Sequence, residues 1–230
     1  MKRNTFKSNI PHHNCDNGDK ICFPFSPPIF QTELDEEFIN ELLIEGRKLT
    51  MEDSYSDKLA GNFKSGRSYI YKDDYIRKKE PQIVKQAENF FNGLYEQHGE
   101  SYKGVNKIMK LQQGRRAYSD GNLKLDTMWI NFQHKNDFNP PHTHTGVLSF
   151  VIFLHVDNSI FEVQADTNTK DAGKIIFSYG EEMSELIGNQ WPVYPYTGLM
   201  FMFPARLKHH VPSFWIDNER ISVSGNLIVA

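Results

Sequence analysis

The sequence predicts a mainly β fold, a sandwich or jelly roll, supported by helices that precede it. Three observations carry this. Hydrophobic periodicity changes near residue 104, from helical spacing before it to short apolar or alternating runs after it. Gly, Pro, Asn and Asp separate those runs, as turns between strands require. Aromatic residues are plentiful, with 17 Phe, and such side chains pack well on a pleated face.

Taken in order, residues 1 to about 30 read as irregular and end in Pro27-Pro28. The run ELDEEFINELLIEGRKL predicts a helix, with Phe38, Leu42, Leu43 and Ile44 as its apolar stripe and acids in its first turn. A loop follows, with a short strand at Ser68–Tyr71. PQIVKQAENFFNGLYEQHG predicts a second helix that starts at Pro81 and stops at Gly99. Beyond it, TMWINFQ, LSFVIFLHV, KIIFSY, GLMFMFP and RISVSGNLIVA read as strands, while GEEMSELIGNQWP is too broken for a helix. The expected organisation is one domain over 1–230. Residues 1–104 form a helical support region packed on the outer face of a β core at 105–230.

Composition narrows the function classes. Net charge is −3, without the basic excess of a nucleic-acid footprint, so no nucleic-acid partner is expected. No run has the length of a membrane span, and the first residues lack a signal-peptide core, so a soluble cytoplasmic protein is expected. Two cysteines, Cys15 and Cys22, make no disulfide framework. With His12 and His13 they resemble zinc ligands only faintly, because the spacing fits no common finger; a loose arm is the simpler reading.

The chemistry concentrates around NPPHTHTG. In an extended chain His142 and His144 project the same way, and two imidazoles on one face can share a metal. A third ligand must come from elsewhere, and FPARLKHHVP offers His209 or His210. In the last strand Arg220, Ser222, Ser224 and Asn226 share one face, opposite Ile221, Val223 and Leu227. A polar face inside a β barrel needs partners, which a bound dicarboxylate would supply. A rival H-x-D pair, His155 and Asp157, lies 54 residues before His209 for its first member, but it ends an apolar run and enters a turn.

The pieces WINF, FNPPHTHTGVLSF, FPARLKHHVPSF and NERISVSGN resemble the iron(II)- and 2-oxoglutarate-dependent oxygenases, and within them a phage-type subgroup with an H-x-H motif. The resemblance covers roughly residues 127 to 228. It implies a double-stranded β-helix, which is the jelly roll that periodicity already suggested. It further implies His142, His144 and His209 as ligands of Fe(II), Arg220 and Ser222 as holders of the far carboxylate of 2-oxoglutarate, and Asn131 as a further cosubstrate contact. His209 is preferred over His210 because the family pattern FPxxLxH ends on it.

One departure from the wider family stands out. Its second ligand is Asp or Glu, whereas this chain has His144, which leaves the centre one charge more positive. The implied reaction uses 2-oxoglutarate and O2 to oxidise a primary substrate of unspecified class, with hydroxylation as the default outcome. A second copy of the chain is an open option as partner. Two alternatives use the same histidines. One is a cupin-like three-histidine dioxygenase without 2-oxoglutarate, and the other is a non-catalytic jelly-roll metal-binding module. Arg220 separates the first alternative from the oxygenase reading, and metal content separates the second. The segments 52–76 and 157–173 are expected to shape the substrate entrance.

Overall fold

A computed structural model of the chain describes residues 12–14, 18–22, 27–98, 123–162, 170–181 and 188–229. Among these, twelve strands form two antiparallel sheets. They are β1 (His12–Asn14), β2 (Lys20–Cys22), β3 (Ile29–Glu33), β4 (Arg67–Ile70), β5 (Leu123–Gln133), β6 (Asn139–His142), β7 (Leu148–His155), β8 (Ile175–Ser178), β9 (Gln190–Val193), β10 (Leu199–Pro204), β11 (Lys208–Val211) and β12 (Arg220–Val229). The larger sheet runs β1-β2-β3-β10-β7-β12-β5-β4, and the smaller β6-β11-β8-β9. Two facing sheets of this kind make the double-stranded β-helix. Among the described residues no helix is long and apolar enough to cross a membrane.

Alternation along the central strands decides what each face meets. In β7, Phe150, Ile152 and Leu154 join a core shared with the helices, while Val151 and Phe153 join the core between the sheets. In β10, Met200 and Met202 face the helices, and Phe201 and Phe203 face inward. Both faces are buried, which is why these strands read as continuous apolar runs rather than alternating ones. In β12 the helix-side core takes Ile221, Val223 and Leu227, as the sequence predicts, and Arg220, Ser222 and Ser224 line an interior cavity.

The N-terminal part departs from expectation in three ways. It is not only helical and irregular before the expected strand at Ser68–Tyr71: β1, β2 and β3 also hydrogen-bond into the larger sheet. Strands of three to five residues leave almost no periodicity in the sequence, and only their pairing with one another and with β10 reveals these three. Helix α1 (Glu36–Gly46) forms where predicted, but Ile39 and Leu42 are its buried residues, and Ile44 is 60% exposed.

Helix α2 (Asp73–His98) starts eight residues before Pro81, which lies inside it. A proline there lacks one N–H and costs about 3 kcal/mol. The added turns offset this by burying Ile76 in line with Ile83, Ala87, Phe90 and Leu94. They also bury Lys79 between the Phe38 and Tyr75 rings, where its ammonium pairs with Glu41. The strand expected at Ser68–Tyr71 is β4, shifted by one residue. The expected start of β structure at 105 lies outside the described residues, as does Cys15.

Candidate metal and cosubstrate site

Strand register brings the first two histidines together. His142 ends β6, His209 lies in β11, and the two are direct cross-strand partners in the smaller sheet. Their rings sit 4.4 Å apart between centroids. His144 stands just past the end of β6, where its N–H donates to the Ala205 carbonyl at 2.8 Å, tying it to the turn before β11. The ring nitrogens of His142, His144 and His209 fall within 4.8 Å of one another, somewhat wider than the roughly 4 Å expected of ligands to one ion. The His144 and His209 Nε2 atoms are 3.2 Å apart.

Backbone carbonyls choose the tautomers. Nδ1–H of His142 donates to Pro140 O at 2.8 Å, and Nδ1–H of His209 donates to Leu207 O at 3.0 Å. Each leaves its Nε2 lone pair for the cluster, the arrangement by which protein metal sites orient imidazole ligands. Burial lowers the basicity of all three rings. His142 is pushed below the usual range by desolvation. His144 falls to about 4, through desolvation and then the neighbouring His142. His209 falls well below the usual range, through desolvation and then the charges of His142 and His144. Neutral rings are what a divalent cation needs.

These shifts carry a stability consequence for the protein freed of metal. Unfolded imidazoles titrate near pH 6.5. Below that pH the unfolded chain takes up protons that the folded rings refuse, so stability is fully present above 6.5 and is lost as pH falls toward about 4, the value for His144. Urea midpoints of chelator-treated protein should therefore drop between pH 7.5 and pH 5. His144→Asn should flatten that dependence, and a pH-independent midpoint would contradict it.

The histidines line one part of a cavity of about 260 Å³, and Arg220, Ser222 and Asn131 line another. Register explains the pairing of Asn131 and Ser222, which are direct partners across β5 and β12. Ser68 Oγ donates to Asn131 Oδ1 at 2.8 Å, which fixes the amide so that its NH2 is the group left for the cavity. Arg220 is 3% exposed. Its Nη1 donates to Gly173 O at 2.7 Å, its guanidinium lies 5.3 Å over the Phe153 ring, and its Nε has no partner. Burial alone pushes its pKa down to about 9, so it stays charged at neutral pH. Among the described residues no Asp or Glu lines the cavity and none pairs with Arg220. A buried cation left in this state calls for an anion from outside the chain.

Other sequence candidates fall elsewhere. His210 is outside the cluster. Asn226 shares the β12 face but spends its amide within the sheet, accepting from Ser149 Oγ at 2.7 Å and donating to Thr127 Oγ1 at 3.1 Å. His155 is exposed at the end of β7. Asp157 caps the following turn through Ser159 N at 2.8 Å, and hydrogen bonds from Asn218 and Ser159 hold its pKa at about 2. This pair does not join the three-histidine cluster.

Asp137 is a positioning residue that sequence reasoning missed. It is fully buried and its carboxylate accepts from the backbone N–H groups of Lys64, Ser65, Gly66 and His134, at 2.7–3.1 Å. It thereby bolts the segment that carries Lys58, Leu59 and Ala60, a wall of the cavity, to the turn leading into β6. Gly66 is required at this clamp, because a Cβ there would lie 1.9 Å from Phe132 O. The Asn-Asp dipeptide before FNPPH was the one available signal, and it marks a turn without saying what the carboxylate holds.

Residues 127–226 match the family described as "Putative 2OG-Fe(II) oxygenase", a span from β5 through most of β12. Among solved structures the chain is similar to a Pseudomonas putida prolyl-4-hydroxylase, at 13% identity over 89% of this chain and 94% of that one, with TM-score 0.52. It is also similar to a 2OG-Fe(II) oxygenase family oxidoreductase from Burkholderia pseudomallei (13% identity, 87% and 84% covered, TM-score 0.48). A third is HygX from Streptomyces hygroscopicus, solved with nickel, 2-oxoglutarate and hygromycin B (8% identity, 88% and 83% covered, TM-score 0.49). At such identities the first of these supports the fold alone. No curated protein matches the chain. The family match lies over the strands that build the cavity, so residues 127–226 are similar to the 2OG-Fe(II) oxygenases.

Proposed function

We propose that His142, His144 and His209 hold the iron, that Arg220 with Ser222 and Asn131 holds 2-oxoglutarate, and that the enzyme hydroxylates its primary substrate. The observation that carries this is the cavity itself. Three neutral imidazoles gather on one part of it, and a buried arginine with an unpartnered Nε and no carboxylate partner stands on another.

The residues fit both groups. Three Nε2 donors suit a divalent first-row metal. A guanidinium fork matches a carboxylate better than any other side chain does. When bound together, iron and 2-oxoglutarate supply an oxidant from O2, with decarboxylation of the cosubstrate to succinate and carbon dioxide. The chain's part is positional. The Pro140 and Leu207 carbonyls hold the rings of His142 and His209, and Arg220 draws the far carboxylate into a site without competing acids. The apolar walls formed by Phe203, Val151 and Ile175 keep water out. With Fe(II), Arg220 and a dianionic cosubstrate together, the site would keep the one positive charge that His144 leaves uncompensated.

The cupin-like alternative gives Arg220 no work, and its unpartnered Nε favours the 2-oxoglutarate reading. We further propose that residues 1–230 act as one domain, which four N-terminal strands in the larger sheet support. The test is turnover of 2-oxoglutarate by iron-loaded protein. Succinate should form in step with O2 uptake and require both iron and 2-oxoglutarate. O2 uptake that persists without 2-oxoglutarate would favour the cupin-like enzyme.

A further inference from the structure

The carbonyl of Gly173 holds one end of the Arg220 guanidinium. Arg220 commits Nη1 to Gly173 O at 2.7 Å, and its Nε remains without a partner. One donor of the fork is spent on the backbone, which fixes how the guanidinium presents the donors that remain. Phe153 below the guanidinium plane limits its tilt.

Gly173 is itself built into place. Its φ is +70°, a conformation that favours glycine, and a Cβ would come within 2.6 Å of Ile160 Cγ2. Its N–H donates to Pro212 O at 3.2 Å. Next to it, Lys174 is buried, with its ammonium 2.8 Å from Asp171 and 4.1 Å over the Tyr194 ring. Ile160, Ala172 and Phe214 form a small separate core behind it. This much packing around one loop carbonyl holds an acceptor in a fixed place next to a buried charge.

We propose that Gly173 is a positioning residue for the dicarboxylate cosubstrate: its carbonyl, held by this small core, orients the Arg220 fork. The proposal rests on the reading of Arg220 given above. Gly173 thus serves the cosubstrate end of the cavity.

The experiment is an oxygen-free 2-oxoglutarate titration of cobalt(II)-loaded protein, with cobalt(II) affinity and thermal unfolding measured alongside. Gly173→Ala should weaken 2-oxoglutarate roughly 10- to 100-fold, as loss of a well-aligned hydrogen bond to a charged group does, and leave cobalt(II) affinity unchanged. Amide-to-ester exchange at position 174, introduced by nonsense suppression, adds no atom and weakens the Gly173 carbonyl as an acceptor, so it serves where Gly173→Ala does not fold. It should weaken 2-oxoglutarate in the same direction.

Normal affinity in Gly173→Ala or in the ester protein, with Arg220→Lys weakened, would overturn the inference alone. Equal loss of cobalt(II) and 2-oxoglutarate would also overturn it, as a general disturbance of the fold. Normal affinity in Arg220→Lys would instead remove the reading beneath it.

Discussion

Replacing Arg220 with alanine is expected to weaken 2-oxoglutarate binding by roughly 30- to several-thousand-fold, the equivalent of about 2–5 kcal/mol. The size follows from burial. Arg220 is 3% exposed, and among the described residues no acidic side chain pairs with it. A carboxylate brought there without its fork would be dehydrated and unpaired. Arg220→Lys should fall between alanine and wild type. Its three N–H donors diverge from one nitrogen and offer no parallel pair to match both oxygens of a carboxylate. The measurement is titration without oxygen of the metal-loaded wild type and both variants. Equal affinity in all three would make Arg220 a structural residue and bring the cupin-like enzyme forward.

His209→Ala is expected to weaken iron(II) or cobalt(II) binding by roughly 100-fold or more, beyond the 10- to 100-fold typical of losing an outer partner of a ligand. His210→Ala should leave metal affinity close to wild type. The two neighbours make a sharp control because they share a strand and differ in face. His209 Nε2 lies 3.2 Å from His144 Nε2, and His210 is outside the cluster. His155→Ala and Asp157→Ala should likewise leave the metal in place, since Asp157 is engaged in capping its turn. Equilibrium titration with cobalt(II) reads all four variants. Loss in His210→Ala, with His209→Ala unaffected, would reverse the assignment.

The comparison of sequence with structure divides along physical lines. Faces set by local alternation were legible. Arg220, Ser222 and Ser224 line the cavity, while Ile221 and Val223 enter the core, because β12 is extended from its first residue. Asn226 was placed on the correct face but not in the cavity, since only the neighbouring strands show Ser149 and Thr127 waiting for its amide. Both histidines of the H-x-H motif join one cluster with His209 although β6 ends at His142, because the Ala205 carbonyl holds His144 beyond the strand. The pairing of His142 with His209 depends on inter-sequence register, which no local pattern encodes. The same reason hid β1, β2 and β3, and it hid Asp137, whose partners lie more than seventy residues away along the chain in three of four cases. Pro81 misled for the opposite reason: local grammar marks a helix start, and tertiary burial of Ile76 overrides it.

The most direct test of the account is the charge-transfer absorption of iron(II)-loaded protein titrated with 2-oxoglutarate in the absence of oxygen. A saturable band is expected at one equivalent of cosubstrate. The band should be absent in His209→Ala and displaced to higher 2-oxoglutarate concentration in Arg220→Lys. A protein that binds iron but shows no such band, or a band indifferent to both substitutions, would contradict it.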